Sequence, residues 1–500
     1  MNEARRDRVR AAFDAFLGTS LDDLFKAHRA EDPVTRALDL FHETARDVPA
    51  YGAFLDEHGI DPARLRTRED FERLPLLTKD GYLRKYPLAS RCRKGDIFTS
   101  DTIAVSSGST GEPTFWPRSM ADELTIARRF EQIFADSFGS PNKRTLAVVC
   151  FPLGTWVGGM FTTACVRHLA SKGHPIFTVT PGNVKAEILR VVTALAPQFE
   201  QTVLLGYPPF LKDVVDTGIA AGIPWSEYAI KLVLAGEVFT EQWRTLMGER
   251  AGMKQPLLDS ASLYGTADAG VLGNETPVSI AIRRFLADRP DDARAIFGEA
   301  RLPTLVQFDP CVRYFEEHEG TLLFTGENGV PLVRYHISDR GGVIPFDAMM
   351  ARMRALGCDP ICLAQEAGAG AIRELPFVYV FGRSHFAISY FGANVFPEMV
   401  SVGLEQPEVA PHVTGKFVMQ VVTASDQNLE LAIAVELATG REGSAELEER
   451  VARSILTHLL ELDSEFGAYV PKDRQRPRIT LHAAGDPEWF PVGVKHRYSR

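Results

Sequence analysis

Ser106-Ser107-Gly108-Ser109-Thr110-Gly111-Glu112-Pro113-Thr114 is the stretch on which the reading of this chain turns. Small residues let a loop bring its backbone N–H groups close to phosphate oxygens, and the hydroxyls of Ser106, Ser107, Ser109 and Thr110 add donors to the same contact. The loop reads as a polyphosphate clamp. It is not a P-loop, which ends in Gly-Lys-Ser/Thr where this one has Glu112-Pro113. Alone, such a run is more often a plain turn. Its meaning comes from three further segments that follow it in order.

The first of these is Tyr264-Gly265-Thr266-Ala267-Asp268-Ala269-Gly270, an aromatic ring, a hydroxyl and a carboxylate on one tight turn. An adenine ring could stack on Tyr264, Thr266 could bond an α-phosphate, and Asp268 suits Mg²⁺, which prefers carboxylates together with phosphate oxygens. The second is Arg334-Tyr335-His336-Ile337-Ser338-Asp339-Arg340-Gly341, where Asp339 is suited to grip two ribose hydroxyls. The third is Gly382-Arg383-Ser384 with Gly392-Ala393-Asn394-Val395-Phe396-Pro397-Glu398, in which Arg383 can share the ribose or a phosphate. Each segment taken singly is as often a structural turn with a solvated charge.

Composition bounds the class. The chain has 500 residues, 45% of them hydrophobic and 24% charged, which exceeds what one core serves, so at least two packed units are expected. The net charge of −10 argues against a nucleic-acid or anionic-membrane partner. No apolar run of about 18 residues is present, and the opening Met1-Asn2-Glu3-Ala4-Arg5-Arg6 lacks the apolar centre of a signal peptide. A cytoplasmic enzyme of small molecules is expected, its oligomeric state left open. The six cysteines are scattered, and Cys358 with Cys362 makes a poor tetrahedral zinc site.

Along the chain, Val9, Ala12, Phe13, Phe16 and Leu17, then Val34, Leu38 and Phe41, repeat at helix spacing. Apolar β-rich runs follow at 146–151, 175–179, 202–205 and 231–235, alternating with helical patterns. This alternation predicts an α/β fold with parallel strands covered by helices and ligands at the strands' carboxyl ends. The stretch 345–376 reads as one helix and a flexible connector. Strand-like runs at 377–381, 417–422 and 429–435 and an amphipathic helix over 446–460 then follow. The expected division is an N-terminal domain over 1–381 that binds ATP and acid, and a small α+β C-terminal lid over 382–500.

Together, and in this order, the segments resemble the adenylate-forming superfamily of acyl-CoA synthetases, peptide-synthetase adenylation domains and luciferases, most of all its phenylacetate–CoA ligase-like branch. Asp56-Glu57-His58-Gly59-Ile60-Asp61-Pro62, Leu74-Pro75-Leu76-Leu77-Thr78-Lys79-Asp80 and Gly236-Glu237 extend the likeness over nearly the whole chain. The resemblance implies ATP and Mg²⁺ as cofactors, a nucleotide site including Gly265 and Glu237, and a lid that turns about a hinge near 383–385. It also implies a catalytic lysine near the C-terminus, for which Gly493-Val494-Lys495-His496-Arg497 supplies Lys495. That lysine would neutralise charge between the attacking carboxylate and the α-phosphate. Phe151, Trp156, Gly158 and Gly159 fall where the family places its acid pocket, which suits a hydrophobic, cyclic or aryl acid.

Departures bear on the second step. Glu112 replaces the lysine common after the second Gly of the loop, and Asp268 replaces a Glu. The hinge continues as Ser384-His385-Phe386-Ala387-Ile388-Ser389-Tyr390, aromatic where the family is charged, and acidic residues outnumber basic ones between 382 and 500. A CoA acceptor carries several phosphates and is met by basic groups, so this balance disfavours it. The pattern is closer to coronafacic acid ligase-like and phenazine-biosynthesis relatives. There the resemblance implies an amide to an amino acid, in secondary metabolism. An acid–CoA ligase is the alternative, and a nucleotide-binding module without turnover is the reading from another class.

Overall fold

Helices Asn2–Gly18, Leu21–Arg29, Pro33–Asp47 and Pro49–Glu57 open the chain, the second and third of them begun by side-chain caps. The Ser20 hydroxyl accepts from Asp23 N, and Asp32 caps a helix whose first residue is Pro33, where a missing N–H costs nothing. Val34, Ala37 and Phe41 lie on the buried stripe of that helix, and Ala37 and Phe41 enter one core with Leu322, Phe324 and Tyr335. The computed structural model describes residues 2–105, 114–154, 157–236, 238–383, 388–390, 393–423, 429–463, 466–467, 470, 472–491 and 496–499.

The strands, in chain order, begin with an antiparallel pair that flanks the Ser/Gly/Thr loop, β1 (Thr102–Val105) and β2 (Phe115–Arg118). A sheet follows from β3 (Thr145–Val149), β4 (Ile176–Val179), β5 (Gln201–Gly206), β6 (Ile230–Ala235), β7 (Ser260–Thr266) and β8 (Gly270–Asn274). It continues with β9 (Thr304–Gln307), β10 (Arg313–His318), β11 (Thr321–Gly326), β12 (Leu332–Ile344) and β13 (Phe377–Arg383). Its 11 strands run in the order β10-β11-β12-β13-β9-β8-β7-β6-β5-β3-β4.

The four predicted runs are β3, β4, β5 and β6, and with β7 they form the parallel part, β4-β3-β5-β6-β7. Both faces of β3 and β5 are buried, which is why they read as unbroken apolar runs. Leu146 and Val148 enter one core and Ala147 and Val149 the other. The expectation of a parallel sheet covers only that half, because the partners from β7 to β10 are antiparallel. Short turns such as Ala267-Asp268-Ala269 can join only antiparallel neighbours. The stretch 345–376 also departs from the single helix expected. It holds Phe346–Ala355 and a second helix, Pro360–Glu366, begun by Pro360 and capped by Asp359.

Past the large sheet come β14 (Ile388–Tyr390), β15 (Ala393–Val395), β16 (Val413–Thr423), β17 (Leu429–Leu437) and β18 (Arg478–His482), with helices Pro397–Leu404 and Ala445–Leu462. These elements share a core of their own, from Tyr390 to Ile479. Gly382 and Arg383 still pair with Arg340 and Asp339, so by backbone hydrogen bonding both belong to the large sheet.

Candidate active site

The carboxyl ends of β3, β5, β6 and β7 carry Phe151, Tyr207, Gly236 and Tyr264 to Thr266 in turn, the edge at which an open α/β sheet binds its ligand. Tyr207 packs edge-on to Phe151, with ring centroids 5.1 Å apart. Gly236 has a φ of +82°, and a Cβ there would meet Tyr207 Cε1 at 2.7 Å, so the ring lies over a residue that must be glycine.

The hairpin of β7 and β8 brings two predicted carboxylates to fixed partners. Tyr264 donates its hydroxyl to Asp339 Oδ2 at 2.6 Å, and Tyr335 donates to Asp268 Oδ2 at 2.7 Å. Both acids are buried. A buried carboxylate is stable only where donors meet it, so these phenols set the orientation of Asp268 and Asp339. Tyr264 itself is buried and stacks on Phe315 at 6.3 Å, so its hydroxyl, more than an open ring face, is what it presents toward Asp339. Thr266 Oγ1 accepts from Ala269 N at 3.2 Å, which leaves its hydroxyl hydrogen as a donor, and Gly265 is exposed beside it.

Asp339 reaches Tyr264 because β12 bulges. Thr321 pairs with Arg340 while Leu323 pairs with His336, so Ile337, Ser338 and Asp339 stand opposite a single residue. Ser338 has a φ of +64°, a left-handed conformation that re-aims the chain just before Asp339. The segment Leu74–Asp80 seats the other side of the strand, with His336 N donating to Leu77 O at 2.8 Å and Arg334 to Leu74 O at 2.5 Å. His336 meets the Thr321 hydroxyl at 2.9 Å and its pKa is lowered by burial, which marks it as structural.

Two buried arginines hold the turn between β7 and β8. Arg118 Nη2 donates to Ala267 O at 2.7 Å and Asp268 O at 2.9 Å, while Nη1 donates to Asn328 Oδ1 at 2.8 Å. Arg313 Nη2 reaches Ala269 O at 3.2 Å, and burial pulls its pKa down to about 10. Below the hairpin, burial acts to raise the Glu275 carboxyl, but Arg244 and Arg283 outweigh it and hold the group below its ordinary range. Arg118, Arg313, Asn328 and Tyr335 complete the site and were not singled out for it from the sequence. The one available signal was that Arg118 closes the strand after the Ser/Gly/Thr loop.

The expected acid-pocket residues divide. Phe151 is buried in the core. A Cβ on Gly159 would stand 2.2 Å from Pro152 O, so this glycine serves the close packing of helix Val157–Ser171 on the preceding loop. Gly158 is less constrained, a Cβ there meeting the Phe151 ring at 3.5 Å. Ser106, Ser107, Gly108, Ser109, Thr110, Gly111, Trp156, Glu237 and Lys495 lie outside the described residues, and of Arg383 only the backbone is described.

The residues that follow Lys495, 496–499, are described. His496 Nε2 donates to Phe417 O at 2.6 Å, its ring stacks on Phe490 at 5.8 Å, and burial lowers its pKa to about 4. A neutral, part-buried imidazole spent on a carbonyl is an anchor and not a base. Met419 N donates to Tyr498 O at 2.6 Å, which ties the chain to β16 just after the lysine.

No family model matches the chain. A phenylacetate–coenzyme A ligase of Thermus thermophilus is 24% identical over 371 residues, 73% of each protein. Among solved structures, 2-hydroxyisobutyryl-CoA ligase in the postadenylation state is similar with a TM-score of 0.66 at 16% identity, over 94% of this chain and 88% of that one. The same ligase in its thioesterification state, with an acyl-AMP and CoA, gives 0.53 at 17% identity, over 96% and 90%. This chain has the fold of the adenylate-forming superfamily, and its sequence likeness runs to that superfamily's phenylacetate–CoA ligase branch.

Proposed function

We propose that this chain is an ATP-dependent ligase that adenylates a hydrophobic, cyclic or aryl carboxylic acid and passes the acyl group to an amine, that of an amino acid, as an amide. The observation that carries the adenylation step is the convergence of Asp268 and Asp339, from separate sequence segments, on one edge of the sheet with a phenol holding each. Asp339 and Arg383 take the ribose, with Tyr264, Gly265 and Glu237 around the nucleoside. Residues 106–111 and Thr266 take the phosphates.

The donor set at Asp268 fits Mg²⁺, since one carboxylate oxygen is steadied by Tyr335 and that ion takes its remaining ligands from water and phosphate. When bound, Mg²⁺ supplies positive charge to the phosphates. In the first step an acid oxygen bonds to the α-phosphorus as the bond to the leaving pyrophosphate breaks. Lys495 neutralises the charge that builds between them. In the second step the amine nitrogen bonds to the acyl carbon, AMP leaves, and the amine proton passes to solvent. Six free cysteines fit a reduced, cytoplasmic setting. Among the described residues no helix is long and apolar enough to cross a membrane.

A second reading, transfer to CoA, is favoured by the activities of the similar ligases. Mass spectrometry of products from Mg·ATP, a panel of cyclic and aryl acids, and either amino acids or CoA separates the two. N-acyl amino acids support the amide ligase and acyl-CoA overturns it in favour of the second reading. A protein that consumes no ATP on addition of any acid is the non-catalytic module. Lys495→Ala is expected to lower acyl-AMP formation by about 100-fold or more, the scale of one transition-state charge contact, with ATP binding retained. Unchanged acyl-AMP formation would remove Lys495 from the mechanism.

A further inference from the structure

A cavity of about 890 Å³ lies between the N-terminal helices and the large sheet, on the far side of Arg313 from the nucleotide turn. His28, Asp309 and Cys311 line it, one from helix Leu21–Arg29 and two from the turn joining β9 to β10. Their ligating atoms, Nδ1, a carboxylate oxygen and Sγ, all lie within 4.8 Å of one another. We propose that these three side chains form a binding site for a zinc-class divalent ion, open on its fourth side to the cavity.

The donor types point to that class. Imidazole, thiolate and carboxylate together select zinc or cobalt, whereas Mg²⁺ takes oxygen alone. One thiolate and one carboxylate balance the dication, and the neutral imidazole adds a third ligand without charge. Geometry needs little change. Ligands about 2.1 Å from a tetrahedral ion stand roughly 3.4 Å apart. His28 Nδ1 and Asp309 Oδ2 are now 2.7 Å apart, sharing the proton that the ion would displace to solvent along with the thiol proton.

The surroundings favour a cation. Carboxylates of the cavity outnumber guanidinium groups six to four. His28 also lies in the last turn of its helix, where the dipole favours positive charge. Asp309 is steadied for the role, since Cys311 N donates to its Oδ1 at 3.1 Å. The opposing element is Arg129, 3.8 Å from Asp309, which balances that carboxylate when no ion is present. Because Arg313 N donates to Asp309 O at 2.9 Å, an ion here would also stiffen the strand end that holds the Ala269 carbonyl.

The test is a Co²⁺ titration of the full, chelator-stripped chain, followed by absorption. One equivalent is expected to give a thiolate-to-cobalt band in the near ultraviolet that Zn²⁺ bleaches. Cys311→Ser should abolish the band and weaken Zn²⁺ by more than about 100-fold, beyond the loss typical of an outer-shell group. His28→Gln should keep a weaker band, and Cys362→Ser should change nothing. No band in the folded wild type, or a band that survives Cys311→Ser, would overturn the site.

Discussion

Tyr264 and Asp339 are 75 positions apart in sequence and are joined by one hydrogen bond of 2.6 Å. Removing the donor leaves a buried carboxylate short of a partner, and a bond to a charged group contributes about 1.5–3 kcal/mol. Tyr264→Phe is therefore expected to lower kcat/KM for ATP by about 10- to 100-fold in acid-dependent pyrophosphate exchange, with the fold intact by circular dichroism. An unchanged value would show that Asp339 does not need this phenol. The residue types were legible in the sequence because a ring, a hydroxyl and two acids recur at a nucleotide site. Their partners were not, because a bulge at 337–339 decides which way Asp339 faces, and nothing local in Ile337-Ser338-Asp339 marks it.

The element that matters most is the hairpin of β7 and β8, a turn pinned through its carbonyls by side chains from other strands. Arg118→Leu strips donors from Ala267 O, Asp268 O and Asn328 Oδ1, all in a buried setting. Asn328 Oδ1 keeps Arg313 Nη2 at 3.1 Å, so two carbonyls lose this donor, and at about 1–3 kcal/mol for each a loss of at least ~2 kcal/mol is expected in urea denaturation. Pyrophosphate exchange should fall with it, since the same turn carries Asp268. A variant as stable as the wild type would mean that the turn holds its own shape. The parallel strands β3 and β5 were legible as unbroken apolar runs because both their faces are buried. Of the antiparallel half only the run at 377–381 was, since the other strands alternate and bulge and take their partners from distant segments.

Across the whole molecule, the elements around the core from Tyr390 to Ile479 meet the large-sheet part along a polar seam. Lys212 Nζ donates to Ala410 O at 3.1 Å and Val413 O at 2.5 Å, Arg301 meets Glu398 at 3.2 Å, and the Thr240 hydroxyl donates to Glu405. Burial pushes the Glu405 carboxyl from 4.5 to about 8, against Thr240, Lys212 and Arg283, which draw it down. The unfolded chain releases this proton near 4.5 while the folded chain keeps it to about 8. The group's stabilising contribution is thus complete below the lower value, shrinks as pH rises, and is gone above the upper one. Glu405→Gln should melt about 2–4 °C higher than the wild type at pH 8, the shift ~1 kcal/mol produces in a large domain. The gap should close toward pH 5. Equal pH slopes of Tm in both proteins would take Glu405 out of the seam's titration.

Local chemistry was enough to determine the N-terminal helices, the parallel strands, and the order of segments that marks an adenylate-forming fold. All of these depend on residues adjacent in the chain or at a fixed period, so they are written in the sequence directly. Tertiary structure alone decided that Tyr335 meets Asp268, that Arg118 and Arg313 clamp one turn, and that His496 anchors the chain next to Lys495. Each of these contacts joins segments far apart in the chain and satisfies a group that burial would otherwise leave without a partner. Such pairings exist only once the sheet has closed around them.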